Sequence, residues 1–403
     1  MINLVSRAQK GGILGRVVAA IVVVCIGLAV YLSTAKLDAE ALLKVNQVLP
    51  HAPFEISPEA RALHDSLLIA DWHTDSLMWL RDLLERSEQG QVDIPRLLEG
   101  NVAVQVFTSV TRVPDAGIQV QDNPAKGDKI AALAFLDKWP EAARKSLYAR
   151  AVYHADKMFE LQTRSPESVK VITNQADLAQ VLESRLAGND MVGTLLGTEG
   201  LHALEGRIEN LARLYDAGYR VMGLYHFFDN ELGGSLHGMS DAGLTAFGRA
   251  VVREMQARSM IVDVAHASIA SVEDILEISE RPVILSHTGM LGVCDTPRNI
   301  PGELMKRIAD AGGLIGIGYF ELGICQLSVQ SVVRHIRYAI DQVGVGHVSL
   351  GSDYDGSVET PFDVSEIAIL TQTMLEQGFS EVEIRAVMGE NLINFLADYL
   401  PEG

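Results

Sequence analysis

The chain has 403 residues, of which 48% are hydrophobic and 21% charged, an ordinary composition for one large globular domain or two smaller ones. There are 33 lysine and arginine residues against 52 aspartate and glutamate residues, so the net charge is -19. This charge repels nucleic acid, and the sequence contains no basic patch, so both observations argue against a nucleic-acid role.

An apolar run near the N-terminus, Val17–Leu32, is preceded by three basic residues, Arg7, Lys10 and Arg16. The first acidic residues come only after the run, which predicts that the N-terminus stays in the cytoplasm and that the rest of the chain is exported. Residues 17–35 carry no charge, and their number is close to the ~20 residues that span a bilayer. The run therefore favours an uncleaved membrane anchor.

A cleaved signal peptide is the alternative, because Ser33-Thr34-Ala35 resembles a signal-peptidase site. Under either interpretation the sequence predicts a segment 1–36, a linker over 37–60 and a periplasmic domain over 61–400. This domain is either anchored to the membrane or secreted to the periplasm. In that compartment Cys294 and Cys325 could pair, and two free buried thiols are the alternative.

Beyond the linker, the chain repeats a short apolar run, a polar cluster and a longer amphipathic stretch, which predicts alternating strands and helices. Eight runs are predicted as strands: Leu67–Asp71, Val102–Phe107, Met191–Glu199, Tyr219–His226, Met260–His266, Pro282–His287, Gly312–Tyr319 and His347–Asp353. Eight such units favour an α/β fold with a closed (β/α)8 TIM barrel over an open doubly wound sheet. Residues 108–190, between the second and third runs, are predicted to be a helical insertion.

Residues of the kind that bind metals cluster where six of these runs end. They are His73, Asp75, Glu199, His226, His266, His287 and Asp353. In TIM barrels the catalytic groups come from the C-terminal ends of several strands, so these side chains are expected to meet. Imidazoles and carboxylates without thiolates suit zinc, or a related divalent ion such as manganese. The set is too large for one catalytic zinc with three protein ligands, and it predicts a site for two ions.

The spacing of His73 and Asp75 is not a signal by itself, because His154 and Asp156 repeat it inside a helical pattern. Residues two apart in a strand point to the same side, whereas on a helix they diverge by about 200°. The preceding strand therefore selects His73 and Asp75 as candidate ligands of one ion.

Across roughly Leu63–Phe395 the sequence also resembles the membrane dipeptidase (renal dipeptidase) family of binuclear-zinc (β/α)8 hydrolases of the amidohydrolase type. The resemblance is carried by the ordered strings DWHTDSL, VDIPRLLEGNVAVQVF, GTEGLHAL, GLTAFGRAVVREM, VDVAHAS, ILSHTG, PRNIPGEL and GSDYDG. It implies two Zn²⁺ per chain and a dipeptide substrate. It also makes a homodimer plausible.

Carried over by position, the resemblance implies His73 and Asp75 on one zinc ion, His266 and His287 on the other, and Glu199 bridging both. It further implies that His226 contacts the scissile carbonyl, that Arg298 pairs with the substrate's terminal carboxylate, and that Asp353 handles the proton. A guanidinium binds a carboxylate through two parallel hydrogen bonds, and an acid beside an activated water can accept its proton.

Simpler interpretations exist for some residues. On spacing alone, Arg298 is a surface residue of a loop, Asp355 is a turn residue and His202 has a structural role. Asp71 is expected to orient the site through a hydrogen bond rather than to bind an ion.

The residues and the resemblance together predict a zinc-dependent dipeptidase that attacks the amide with a metal-bridging hydroxide. The resemblance further implies that it tolerates a C-terminal D-residue. Two alternatives are kept: another binuclear-metal amidohydrolase, acting on N-acyl amino acids or lactones, and an inactive, membrane-tethered binding protein.

Overall fold

Nine strands, all paired in parallel, occur in residues 45–115 and 119–403, the part of the chain that the computed structural model describes. They are β1 Ile69–Thr74, β2 Val102–Val110, β3 Val169–Val171, β4 Val192–Glu199, β5 Tyr219–Gly223, β6 Ile261–Asp263, β7 Ile284–Thr288, β8 Leu314–Ile317 and β9 Val348–Leu350. The pairing order is β2-β1-β9-β8-β7-β6-β5-β4, and a further β2–β4 pairing closes the ring. The predicted eight-stranded parallel barrel is therefore confirmed.

The ninth strand, β3, was not predicted. It pairs with β4 at the start of that strand, with Val169 opposite Val192, while β5 pairs with β4 further along. β2 runs along the other edge of β4 and places Val110 opposite Glu199. The first and last barrel strands meet at a seam where Asp71 pairs with Leu350.

Fifteen helices lie in the described residues. They are α1 Pro58–Asp65, α2 Ile94–Glu99, α3 Lys129–Leu136, α4 Glu141–Lys145, α5 Leu147–Arg164, α6 Gln175–Leu186, α7 Glu209–Asp216, α8 Ala246–Ala257, α9 Ile269–Ile278, α10 Gly302–Asp310, α11 Glu321–Ile324, α12 Val329–Val343, α13 Ala368–Glu376, α14 Glu381–Arg385 and α15 Asn391–Tyr399. The predicted insertion holds α3 to α6 together with β3, so its helical character is confirmed.

Polar side chains start several of these helices. Ser146 accepts a hydrogen bond from Ala149 N before α5, and Asn174 accepts one from Asp177 N before α6. Ser380 and Glu383 form a reciprocal capping box at α14. Such caps satisfy backbone N–H groups that have no partner within the helix, which explains why the helices begin at these residues.

The packing of β1 fixes which of its side chains enter the barrel. Trp72 is fully buried and meets Phe395 of α15 edge to face, with ring centroids 5.8 Å apart. Since neighbouring residues of a strand point to opposite faces, Asp71 and His73 point away from α15, into the barrel. One apolar contact to a helix therefore aims the first candidate ligand inward.

Close backbone approach requires glycine at two positions in β8 and β9. A Cβ at Gly316 would lie 1.9 Å from the Ser286 carbonyl oxygen, and one at Gly351 would lie 1.8 Å from the same atom. These glycines let β7, which carries His287, sit close to β8 and to the end of β9.

Cys294 and Cys325 form a disulfide, which decides between the two alternatives left by the sequence. Within residues 45–115 and 119–403, none of the helices has the length and apolar character needed to cross a bilayer. The predicted anchor or signal segment, Val17–Leu32, lies outside the described residues.

Candidate active site

Parallel strands bring the predicted site residues to one end of the barrel. His73, Glu199 and His287 lie on β1, β4 and β7 themselves. The other four, Asp75, His226, His266 and Asp353, lie one to three residues beyond a strand. For the last three, the strand ends earlier than the apolar run suggested. All seven are buried, with at most 8% of each residue exposed.

Glu199 lies at the centre of this group. Its Oε1 atom is 2.9 Å from His266 Nε2, 3.4 Å from His287 Nε2 and 3.7 Å from His73 Nε2. Its other oxygen, Oε2, is 3.4 Å from His226 Nε2. One carboxylate thus reaches four imidazoles from different parts of the barrel, which is the position that a bridging ligand requires.

Two carboxylates complete the group on the side of β1. Asp75 Oδ1 lies 3.7 Å from His73 Nε2, and Asp353 Oδ1 lies 3.9 Å from the same nitrogen. His73, Glu199, His287 and Asp353 offer ligand atoms within 4.8 Å of one another, and so do Glu199, His226 and His266. These groupings include Asp353 and His226 but not Asp75, so the assignment of ligands to each ion stays a prediction.

The pKa shifts in this cluster indicate that its carboxylates have too little positive charge around them. Burial and repulsion from Asp75 raise the pKa of Glu199 to about 7. Burial and, secondarily, the charge of Glu199 raise the pKa of Asp353 well above its ordinary value. Burial opposes a cationic His73, but Glu199 and Asp75 outweigh it and raise the pKa of this imidazole.

By contrast, burial and nearby cationic groups hold the pKa values of His226, His266 and His287 well below the ordinary value. These neutral imidazoles and crowded acids form a nitrogen and oxygen donor set that suits zinc or a related divalent ion. The residues therefore fit a divalent metal, whose charge would relieve the repulsion between the acids.

Two ligand candidates have left-handed backbone. The φ angle is 62° at His266 and 63° at Asp353. Such conformations cost about 1–3 kcal/mol in residues other than glycine and are concentrated at functional sites. The fold thus maintains local strain at two residues that point into the cluster.

Polar residues that the sequence did not single out hold the candidate ligands in place. Ser286 Oγ donates to Asp263 Oδ2 at 2.5 Å, so at 2.9 Å it accepts from His287 Nδ1, which leaves the His287 Nε2 lone pair facing Glu199. Thr108 Oγ1 donates to Asp75 Oδ1 at 2.6 Å. The available signal was a polar residue inside an apolar strand, as in the runs VDVAH and ILSH.

Asp71 supports the site in the predicted way, without joining the ligand group. It accepts hydrogen bonds from His73 N, Gln105 Nε2 and both the N and Oγ of Ser352, at 2.9 to 3.0 Å. These contacts tie the backbone beside His73 to the segment that carries Asp353. Asp71 therefore fixes the spacing between His73 and Asp353.

Arg298 is buried, with 3% of its surface exposed, so the surface-loop interpretation is wrong. Its Nη2 atom donates to the His287 carbonyl oxygen at 2.8 Å, and its guanidinium lies 5.3 Å from the centre of the Phe320 ring. The loop is held by Asn299, whose amide donates to the carbonyls of Cys294 and Gly323. A positive charge is thereby fixed beside the cluster.

The remaining sequence candidates have structural contacts. Asp355 accepts from Ser76 Oγ at 2.5 Å and from Gln91 N at 2.8 Å, consistent with its expected role in a turn. His202 stacks on Phe228 with ring centroids 4.5 Å apart. The control residue His154 lies on α5 with its Nδ1 atom 3.1 Å from Ser109 Oγ and is not part of the cluster.

A (β/α)8 barrel with a buried cluster of imidazoles and carboxylates at the strand ends defines a metallohydrolase type of protein. Residues 57–398 match the family model described as Membrane dipeptidase (Peptidase family M19), and the chain belongs to this family. It is therefore a metallo-dipeptidase, a hydrolase that acts on peptide bonds.

Relatives agree with this assignment. Dipeptidase aclJ of Aspergillus oryzae is 28% identical over 389 residues, which cover 86% of this chain and 85% of the relative. The solved structure of the probable dipeptidase PvdM from Pseudomonas aeruginosa has a TM-score of 0.70 at 17% identity, covering 85% of this chain and 98% of that one. A metallo peptidase from Rhodobacter sphaeroides, liganded with a phosphinate mimic of the dipeptide L-Ala-D-Ala, has a TM-score of 0.65 at 20% identity, covering 83% and 99%. These two structures show that the fold is shared.

Proposed function

We propose that the chain is a zinc-dependent dipeptidase that binds two Zn²⁺ ions and hydrolyses dipeptides, including those with a C-terminal D-residue. The observation that carries the proposal is Glu199, whose two oxygens face four imidazoles in a buried cluster. The D-residue is supported by the Rhodobacter sphaeroides relative, which was solved with a mimic of L-Ala-D-Ala.

In this proposal His73 and Asp75 would hold one ion, His266 and His287 would hold the other, and Glu199 would serve both. When bound, the ions would lower the pKa of a water molecule toward neutrality and polarise the substrate carbonyl. Asp75 Oδ1, 3.7 Å from His73 Nε2, supports the first pair of ligands, and the 2.9 Å contact between His266 Nε2 and His287 Nε2 supports the second.

The remaining residues act on the substrate. Arg298 binds the terminal carboxylate, since a buried guanidinium beside the cluster offers two parallel donors. His226 donates a hydrogen bond to the carbonyl oxygen as negative charge develops there. Asp353 accepts the proton of the attacking water and returns it to the leaving amine.

We further propose that the enzyme works in the periplasm, held by the N-terminal segment or secreted after its cleavage, and that two copies can form a homodimer. The basic residues before the apolar run and the acidic residues after it support export. The disulfide between Cys294 and Cys325 supports an oxidising compartment.

The test uses the purified full-length chain, metal analysis and a panel of L-L and L-D dipeptides, N-acyl amino acids and lactones. Chelation should abolish dipeptide hydrolysis, and added Zn²⁺ should restore it. Glu199→Gln should lower kcat by at least about 1000-fold, because it removes the negative charge and replaces one of the two ligand oxygens with an NH2 group that cannot bind metal. The exposed Glu376→Gln is the matched control and should keep full activity.

Full hydrolysis after complete metal removal would exclude the metal-dependent mechanism. Faster turnover of lactones or N-acyl amino acids than of any dipeptide would favour the other amidohydrolase activities. Metal binding without turnover of any compound in the panel would favour a binding protein.

A further inference from the structure

His237 is a buried histidine beside the cluster, and neither the family resemblance nor the proposed mechanism gives it a role. It lies in the segment that follows His226, and none of its surface is exposed. Ser235 connects the two residues, since its hydroxyl donates to the His226 carbonyl oxygen and accepts from His237 N.

Backbone contacts place His237 next to His266. Leu236 N donates to the His266 carbonyl oxygen at 2.8 Å, and Ser235 pairs with Ala267 in an antiparallel bridge. The imidazole rings of His237 and His266 consequently lie with centroids 4.9 Å apart and planes inclined by 49°.

An N–H···N hydrogen bond of about 2.9 Å between two imidazoles whose bonded nitrogens face each other places the ring centres about 5 Å apart. His266 and His287 have the same centroid separation, 4.9 Å at 53°, and their Nε2 atoms are 2.9 Å apart. His237 Nε2 and His266 Nδ1 are not in hydrogen-bond contact in this structure, and at this ring separation a turn of the His266 ring is the change that would join them.

A hydrogen bond from the insertion fixes the tautomer of His237. Its Nδ1 atom donates to the Val120 carbonyl oxygen at 2.6 Å, so in the neutral ring Nε2 carries a lone pair and is an acceptor. Asn123 N and Nδ2 both donate to the His237 carbonyl oxygen, at 2.9 and 3.0 Å. The insertion thus holds both the backbone and the ring of His237.

The two rings have complementary unused atoms. Among the described residues, neither His237 Nε2 nor His266 Nδ1 has a hydrogen-bond partner. An unpaired buried polar atom costs about 1–3 kcal/mol. A histidine that binds metal through one nitrogen almost always donates its other N–H to an acceptor, which fixes the ring and raises its basicity.

We propose that His237 is a positioning residue of the metal centre: its Nε2 accepts a hydrogen bond from His266 Nδ1–H and thereby holds His266 Nε2 toward Glu199. The proposal rests on the proposed function, because it requires His266 to be a metal ligand. The insertion, through Val120, then becomes part of the support of the metal site.

The test compares the metal affinity of three full-length chains: the wild type, His237→Phe and His237→Gln. Competition with a chromogenic chelator measures the affinity. Phenylalanine keeps an aromatic ring and removes the acceptor, and metal affinity should fall by about 10- to 100-fold. Glutamine has an amide that can donate to Val120 and an oxygen that can accept from His266, so it should restore most of the affinity.

His154→Phe is the matched control, because His154 is also fully buried with an unpartnered Nε2 among the described residues but lies on α5 away from the cluster. It should bind metal like the wild-type chain. Equal affinities of the Phe and wild-type chains, a change in KM alone, or a Gln chain as weak as the Phe chain would overturn the role of His237. A wild-type chain that binds no metal would instead contradict the proposed function.

Discussion

Arg298 shows how a single residue can be misjudged from its sequence neighbours. Prolines on both sides of it suggested an exposed loop, whereas the loop folds inward and places the guanidinium against the His287 carbonyl oxygen. The residues that hold the loop, Asn299 and the two cysteines, are separated from their partners by up to 31 positions. Local sequence contains no information on such contacts.

Replacing Arg298 with Ala should raise KM for dipeptides by about 10- to 150-fold, the loss expected for a hydrogen bond to a charged group of 1.5–3 kcal/mol. Arg298→Lys should give an intermediate value, because lysine keeps the charge and loses the fork geometry. Steady-state kinetics with a dipeptide and its C-terminal amide make the measurement.

The wild-type enzyme should prefer the dipeptide to its amide, and the Ala variant should lose this preference. Arg207→Ala, at an exposed ion pair with Glu205, serves as the control. A variant that still discriminates fully between acid and amide would show that Arg298 does not bind the carboxylate.

The ligand candidates were predictable from the sequence, because each one follows an apolar run that the barrel turns into a strand. Asp263, Ser286 and Thr108 were not predicted, since their roles depend on which strands are neighbours. Asp263 can reach Ser286 only because β6 pairs with β7. Pairing between strands is a tertiary property that periodicity along one chain segment does not contain.

At the scale of elements, the presence of each barrel strand was predicted more accurately than the residue at which the strand ends. The runs that end in His226, His266 and Asp353 each leave the sheet three residues before the functional side chain. At His266 and Asp353 the backbone turns into the left-handed region, which a strand cannot include. The added strand β3 was missed because three residues carry too little periodicity to distinguish a strand from its helical surroundings.

The disulfide joins the Arg298 loop to α11, so its removal should weaken both the fold and substrate binding. For a separation of 31 residues, the loop-closure estimate is about 3.5 kcal/mol. The double variant Cys294→Ala/Cys325→Ala should lose up to that free energy of unfolding in denaturant titrations. It should also raise KM more than it lowers kcat.

Ala replacement at Ser279, a half-buried residue outside the loop whose hydroxyl oxygen is inaccessible to solvent, provides a comparison for the loss of a small polar side chain. An unchanged free energy of unfolding in the double variant would mean that hydrogen bonds such as those of Asn299 hold the loop without the disulfide.

At the scale of the whole molecule, the metal should contribute to stability in a way that depends on pH. In the metal-free chain, Glu199 has a pKa of about 7 against an ordinary value of 4.5. The folded state then binds a proton more tightly than the unfolded state does, and this stabilisation is lost as the pH rises from 4.5 through 7. Bound metal removes the need for that proton.

The increase in Tm caused by Zn²⁺ should therefore be larger at pH 8 than at pH 5.5, as measured by calorimetry with and without chelator. A free Zn²⁺ concentration of about 1000 times its Kd stabilises the folded chain by about 4 kcal/mol. In the Glu199→Gln variant the pH dependence of this increase should become smaller. An increase that is greater at pH 5.5 would contradict the assignment of Glu199 to the metal centre.

The seam between β1 and β9 joins the beginning of the barrel to its end. Asp71 pairs there with Leu350, and His73 faces Asp353 across it. During synthesis, β1 leaves the ribosome long before β9, so Asp353 joins the cluster only when nearly the whole chain has emerged. Hydrolytic activity therefore requires the closed ring, and its first appearance during refolding would report that the ring has closed.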